Sequence, residues 1–134
     1  DILARRRNAA AVYDHALAGL AADGLLHLPP MAERERASWF VYVIRLADRF
    51  GQADRDAVIA ALRAAGIGCS NYFVPLHTQP HLAETLDTTA GQFPRAEHLA
   101  ARTIALPFFA DLSEAQAARV AEALAESLAS LATI

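Results

Sequence analysis

At 134 residues the chain suits one domain around one core, so residues 1–134 are read as a single unit. Hydrophobic residues make up 54 %, but 32 of the 134 are Ala, which predicts a modest and mostly helical core. A net charge of −3 and a pI near 5.9 give no electrostatic hold on nucleic acid or on an anionic membrane. No apolar run approaches the ~20 residues of a membrane span. The N-terminal Asp-Ile-Leu-Ala-Arg-Arg-Arg lacks the order of a signal peptide, and the lone Cys69 fits a reducing compartment. A cytoplasmic location is expected. All twelve basic residues of the Lys and Arg types are Arg, so chemistry that needs a Schiff-base lysine cannot occur on this chain alone.

The chain opens inside a helix over 1–23. Tyr13, Ala16, Leu17 and Leu20 recur at i, i+3, i+4 and i+7 and draw one apolar stripe. Arg5, Arg6 and Arg7 sit on its first turns, where cations oppose the macrodipole, and no N-cap is evident before them. This reads as a helix cut in its middle, with the chain expected to be part of a longer one.

Asp23-Gly24 stops that helix, Leu25 to Leu28 is short and apolar, and Met31 to Ala37 reads as a solvated loop. Trp39 to Leu46 is β-branched and aromatic, apolar on both alternating faces, and predicts a central strand. A second helix follows. Asp54 is placed to cap it, Val58, Ala61, Leu62 and Ala65 form its inward face, and Gly66 supplies its C′ position. Ile67 to Phe73 is expected to be a strand, leading into a loop held between Pro75 and Pro80. His81 to Leu86 suggests a short helix and Asp87 to Gly91 a turn. Pro94 at an N1 position starts a helix through Thr103 that turns Ala96, Leu99 and Ala100 inward. Ile104 to Leu106 predicts a short strand stopped by Pro107. Ser113 to Gln116 reads as a capping box for a last helix striped by Ala117, Val120, Ala121, Leu124 and Leu128. Strands this few and this irregularly spaced favour an α+β fold: a small antiparallel sheet with helices packed on one face.

Candidate chemistry concentrates between Gly66 and Pro80. Asn71, Tyr72, Phe73, His77 and Gln79 place amide, hydroxyl and imidazole groups beside aromatic rings on backbone held by prolines. Such a loop can aim polar groups at a ligand while the rings wall it in. The competing structural reading puts Phe73 in the core and makes His77 a pin for the turn. Cys69 with His77 and His81 matches no tight metal-ligand spacing, and a buried thiol is the commoner outcome. Ser38, Ser70 and Ser113 lie in no nucleophile elbow, and Ser113 is better explained as a cap. Glu33 to Arg36 reads as a solvated charge run. Gly66-x-Gly68 follows a helix and enters a strand, the reverse of a dinucleotide fingerprint.

The order of these signals resembles a known family. Arg5-Arg6-Arg7 with Tyr13 comes first, then Trp39 to Tyr42, Arg55-Asp56 before Leu62, and Gly66-Ile67. Tyr72-Phe73-Val74-Pro75-Leu76-His77-Thr78-Gln79-Pro80 follows, then Phe93 to Glu97, Leu106 to Phe109 and Leu112-Ser113-Glu114. Together they resemble the C-terminal part of the DegT/DnrJ/StrS family of pyridoxal-phosphate sugar aminotransferases, over nearly the whole chain.

The resemblance implies a fold-type I enzyme, aspartate-aminotransferase-like and usually a homodimer. It would move an amino group from an amino acid donor such as glutamate to a nucleotide-linked keto-sugar. The chain would be the smaller domain, inactive alone, with helix 1–23 leading in from a cofactor domain that binds pyridoxal phosphate. Carried over by position, Asn71 to His77 matches the family loop facing the sugar-nucleotide pocket. Tyr72 and His77 would make polar contacts to the substrate, and Phe73 and Pro75 would shape its wall. No residue here matches the lysine, the acidic partner of the pyridine nitrogen or the main phosphate anchors. Ser70 stands where many relatives have Arg, and His81-Leu82 where an aromatic pair often follows. The same resemblance admits a sugar dehydratase, in which histidine replaces the lysine. A stand-alone domain that binds a sugar nucleotide or a partner protein is the reading from another class.

Overall fold

The computed structural model describes residues 1–29 and 37–131. The charged stretch over 31–36, expected as a solvated loop, lies outside the described residues. In chain order the elements are α1 (Ile2–Ala22), β1 (Leu26–His27), β2 (Tyr42–Leu46), α2 (Gln52–Ala64), β3 (Ser70–Asn71), a 3-10 turn (Leu76–Thr78), α3 (Pro80–Leu86), α4 (Pro94–Ala100), β4 (Thr103–Leu106) and α5 (Glu114–Leu131). The four strands form one antiparallel sheet in the order β1-β2-β4-β3. The architecture is the expected α+β.

Register and side-chain alternation agree at the centre of the sheet. Tyr42, Ile44 and Leu46 of β2 are buried, and Tyr42 and Ile44 face Leu106 and Ile104 of β4 across the ladder. Val43 and Arg45 point to the other face, which is only half-covered, so β2 is less two-sided than its composition suggests. α1, α2 and α5 cover the buried face with Tyr13, Leu17, Val58, Leu62, Val120, Leu124 and Leu128. Ala9, Ala10 and Ala117 are also buried, and their small side chains let helix axes approach closely. The abundant alanine therefore contributes to packing as well as to helix propensity.

The helix ends follow from local chemistry. Gly24 (φ 65°) and Gly66 (φ 77°) take the left-handed conformation just past α1 and α2. Behind them, Leu25 N donates to Leu20 O at 3.0 Å and Ile67 N to Leu62 O at 2.9 Å, each closing a Schellman motif. Ser113 and Gln116 form the expected capping box: Gln116 N donates to Ser113 Oγ at 3.2 Å, and Ser113 N to Gln116 Oε1 at 2.9 Å.

Several expectations are corrected. Asp1 does cap α1, with its Oδ1 accepting from Leu3 N at 3.0 Å, and Arg5 pairs with Asp111 through Nε at 3.0 Å. Asp54 is not the N-cap of α2; it sits at N3 and reaches back to the Gly51 amide at 2.7 Å. Ala61 and Ala65 are exposed, and Ile59 and Arg55 take their places on the buried face. The strand predicted over Ile67 to Phe73 shrinks to two paired residues, with Ser70 opposite Ala105 and Asn71 opposite Ile104. Beyond that point a side chain takes over the ladder, with Thr103 Oγ1 donating to Tyr72 O at 2.8 Å. α4 stops at Ala100, since the following residues turn into β4, and Leu99 is exposed rather than inward.

Tyr13 couples the helical layer to the sheet and to the chain beyond β4. Its ring stacks on Tyr42 at 4.8 Å, and its hydroxyl donates to Pro107 O at 2.6 Å. Burial pushes its phenol well above the ordinary tyrosine range. Tyr13→Phe keeps the ring and orphans the Pro107 carbonyl, so urea unfolding should show a loss of about 1–2 kcal/mol. An unchanged midpoint would mean that water satisfies that carbonyl.

Candidate functional site

The segment from Asn71 to Gln79 leaves the sheet at its β3 edge and runs past the start of α2 toward α4. Proline fixes it at its middle, at Pro75 before the 3-10 turn, and just past its end, at Pro80 on the first turn of α3. The chain therefore crosses this surface with little backbone freedom. The Tyr72–Phe73 peptide is cis, and the two rings stack with centroids 4.1 Å apart.

Two cavities adjoin the segment. The first is an open groove of about 790 Å³, with residues 71–76 and Gln79 as one wall and Ala96, Leu99 and Ala100 of α4 as the other. It is mainly apolar: Phe73 is 66 % exposed and Leu76 67 %, and polar groups enter only from Asn71, Tyr72 and Gln79. The second cavity, about 280 Å³, shares Asn71, Phe73 and Pro75 but faces Gln52, Arg55, Thr78 and Glu97. The same wall thus borders a mainly apolar groove and a more polar cavity, with Asn71 and Phe73 lining both. A ligand with an apolar face and several hydroxyl or amide groups fits that combination.

Asn71, Tyr72, Phe73 and Pro75, all singled out in the sequence, line the groove together with Gln79. His77 does not. It is buried, with Nε2 at 2.8 Å from Glu97 Oε1 and its ring 4.7 Å from that of Phe93. Thr88 Oγ1 donates to its carbonyl at 2.9 Å. Cys69 faces Ile59 O at 3.8 Å, burial pushes its thiol up, and His81 lies exposed on α3. Sequence reasoning gave no role to two residues that organise this surface. Glu97 gathers His77 Nε2, Gly91 N (2.8 Å) and Phe93 N (3.3 Å) on one oxygen. Arg55, buried in α2, donates Nη1 to Ala100 O at 2.9 Å, placing a cation at the C-terminus of α4. Its Nε lies 2.7 Å from Asp56 Oδ1 but outside hydrogen-bonding geometry. The signal for Glu97 was its place on the first turn after Pro94, where a carboxylate can reach back to free amides.

The His77 hydrogen bond, and after it the Gly91 and Phe93 amides, hold the Glu97 carboxyl below the ordinary carboxylate range. The folded state binds that proton more weakly than the unfolded chain. Its stabilisation is therefore present above the ordinary Glu value of about 4.3 and lost as pH falls through the lowered folded value. The Gly91 and Phe93 amide signals should shift together in an acid titration by NMR, below pH ~4.3. Glu97→Gln should abolish that step; a step that persisted would assign it to another carboxyl.

A family model for the DegT/DnrJ/EryC1/StrS aminotransferase family matches residues 1–125. Among solved structures, DesV of S. venezuelae is 31 % identical with a TM-score of 0.72, over 92 % of this chain and 31 % of that one. The aminotransferase TlmJ from Streptoalloteichus hindustanus is 28 % identical with a TM-score of 0.76, over 97 % and 32 %. The PMP form of Spr1654 from Streptococcus pneumoniae has a TM-score of 0.82 over 97 % of this chain and 31 % of that one. At 22 % identity that likeness shows the fold alone. The chain spans about a third of the length of these structures. With the fold, the ordered motifs and the family model in agreement, the chain belongs to the DegT/DnrJ/EryC1/StrS aminotransferase family.

Proposed function

We propose that residues 1–134 form the smaller, substrate-facing domain of a pyridoxal-phosphate sugar aminotransferase. The enzyme transfers an amino group from an amino acid donor, glutamate by preference, to a nucleotide-linked keto-sugar. α1 leads in from a cofactor domain, the working enzyme is a cytoplasmic homodimer, and this domain alone is inactive. The observation that carries the reading is the wall at 71–76, which lines both a mainly apolar open groove and the polar cavity shared with Arg55 and Glu97. Sugars present CH faces that pack on rings and hydroxyls that need partners, and this wall supplies both.

The residues present do not fit a pyridoxal-phosphate site. The chain has no lysine to hold the cofactor, so no chemical step is assigned to its residues. Their part in the reaction is to bind and orient. Phe73 and Pro75 form the apolar wall, Asn71 and Tyr72 offer amide and hydroxyl groups, and His77 contributes from behind by fixing the turn. Three outcomes test this. The chain alone, mixed with pyridoxal phosphate and borohydride, should yield no stoichiometric side-chain adduct; such an adduct would sink the assignment. In the whole enzyme, mass spectrometry should show an amino group on a nucleotide-linked keto-sugar supplied with glutamate. There Phe73→Ala should raise KM for the sugar roughly tenfold. Because Phe73 is exposed, unfolding should move by no more than ~0.5 kcal/mol. Unchanged KM with lost stability would return Phe73 to a structural role.

A further inference from the structure

The two walls of the groove belong to separate stretches of chain. One is the 71–76 segment, and the other is the face of α4 formed by Ala96, Leu99 and Ala100. What holds them at a fixed separation is not visible in the groove itself. Thr78 Oγ1 donates to Pro75 O at 2.9 Å and Gln79 Nε2 to Val74 O at 3.5 Å; both bonds are local and shape the turn without placing it. The bond that crosses from the turn to α4 is His77 Nε2 to Glu97 Oε1, at 2.8 Å.

Glu97 sits on the same seven-residue helix as the second wall, one position from Ala96. A helix that short moves as a rigid piece, so a tether at Glu97 is a tether on Ala96, Leu99 and Ala100. The carboxylate is itself fixed from a third direction. Phe93 is the N-cap of α4 and has no side-chain cap, and Glu97 instead reaches back to its amide and to that of Gly91. His77 has little freedom to move: it is 8 % exposed, Phe93 lies against its ring, and Thr88 holds its carbonyl. A charge-assisted bond with both partners restrained in this way sets a distance as well as an energy.

We propose that Glu97 is a positioning residue that sets the width of the substrate groove, acting through His77 on the 71–79 segment. This rests on the reading of that segment as the substrate-facing wall. Glu97 lines the polar cavity behind the wall and need not touch the ligand in the groove. Its removal frees the turn from α4 and lets the walls drift apart, and misplacement of about 1 Å is costly to a binding geometry.

The test uses the whole enzyme with a nucleotide-linked keto-sugar as acceptor. Glu97→Ala is expected to raise KM for the acceptor roughly ten- to a hundredfold, with kcat moved far less. Glu97→Gln keeps one oxygen, which can stand where Oε1 accepts from His77, Gly91 and Phe93, and should bring KM back to within a few-fold of wild type. Glu97→Asp keeps the charge but withdraws it by one methylene; it should raise KM as Ala does, and it decides the matter if the Ala variant does not fold. An unchanged KM in the Ala or Asp variant overturns the proposal whatever happens to the melting temperature, and so does a Gln variant no better than Ala. If wild type aminates no nucleotide-linked sugar, the proposed function fails separately. Glu97 is then judged from the Tyr72 and Phe73 ring signals of the same protein, which must shift in Glu97→Ala and return in Glu97→Gln. Ring signals that ignore the Ala substitution overturn the proposal.

Discussion

The pairing of β2 with β4 is the constraint on which the rest depends. Ile44 opposite Ile104 and Tyr42 opposite Leu106 bury one face of the sheet, and a slip of one residue would turn the two on the slipped strand outward. Once that register is fixed, Thr103 is fixed at the start of β4, and Thr103 Oγ1 holds Tyr72 O. α4 ends three residues before Thr103, so the same register places α4, with Arg55 securing its last carbonyl from the α2 side. One end of each wall, at Tyr72 and at Ala100, is thus referred to one hydrophobic pairing. The antiparallel sheet acts as the ruler, and the loops inherit its precision.

That dependence explains which features were legible in the sequence. α1 and α5 are long enough for an apolar stripe to repeat, and their ends carry local chemistry in Gly24 and the Ser113–Gln116 pair. Family membership was legible for a related reason, because ordered short motifs survive where each segment keeps its own local geometry. α4 was misread because seven residues hold barely two turns. Ala96 and Leu99 look like a core face, yet they line an open groove. Apolar residues around a binding surface and apolar residues in a core give the same pattern over so short a span. β3 was overextended for a different reason. Its composition suits a strand as far as Phe73, but backbone pairing stops at Asn71 opposite Ile104, and the Thr103 hydroxyl takes the next carbonyl, that of Tyr72.

The candidate site was half legible. The concentration of rings and polar groups between Asn71 and Gln79 marked a surface where the structure has an open groove, because prolines and aromatics advertise themselves in one dimension. The orientation of His77 did not, since its partner Glu97 lies twenty positions away and packing alone decides which way an imidazole turns. The same holds for Arg55. In the sequence it has no role beyond a short motif, and it is buried against the end of α4. Side chains whose roles depend on long-range partners are invisible to periodicity, and here they are the ones that organise the cavity from behind.

The division between front and back has a physical logic. A groove that is to receive a ligand must leave its own rings uncovered, so Phe73 and Leu76 cannot be held by burial. Freezing backbone costs about 1–2 kcal/mol per residue, and a nine-residue segment lying over the surface needs that cost offset from elsewhere. Prolines reduce it in advance by narrowing the unfolded ensemble. Hydrogen bonds on the hidden side supply the rest: Thr103 to Tyr72, Thr78 to Pro75, Thr88 to His77, and His77 to Glu97. Polar anchors behind an apolar face let the segment stay ordered without sealing the surface it presents. An all-apolar anchor would invite the rings to collapse inward and close the groove, whereas directional bonds to the back of the chain hold the front open.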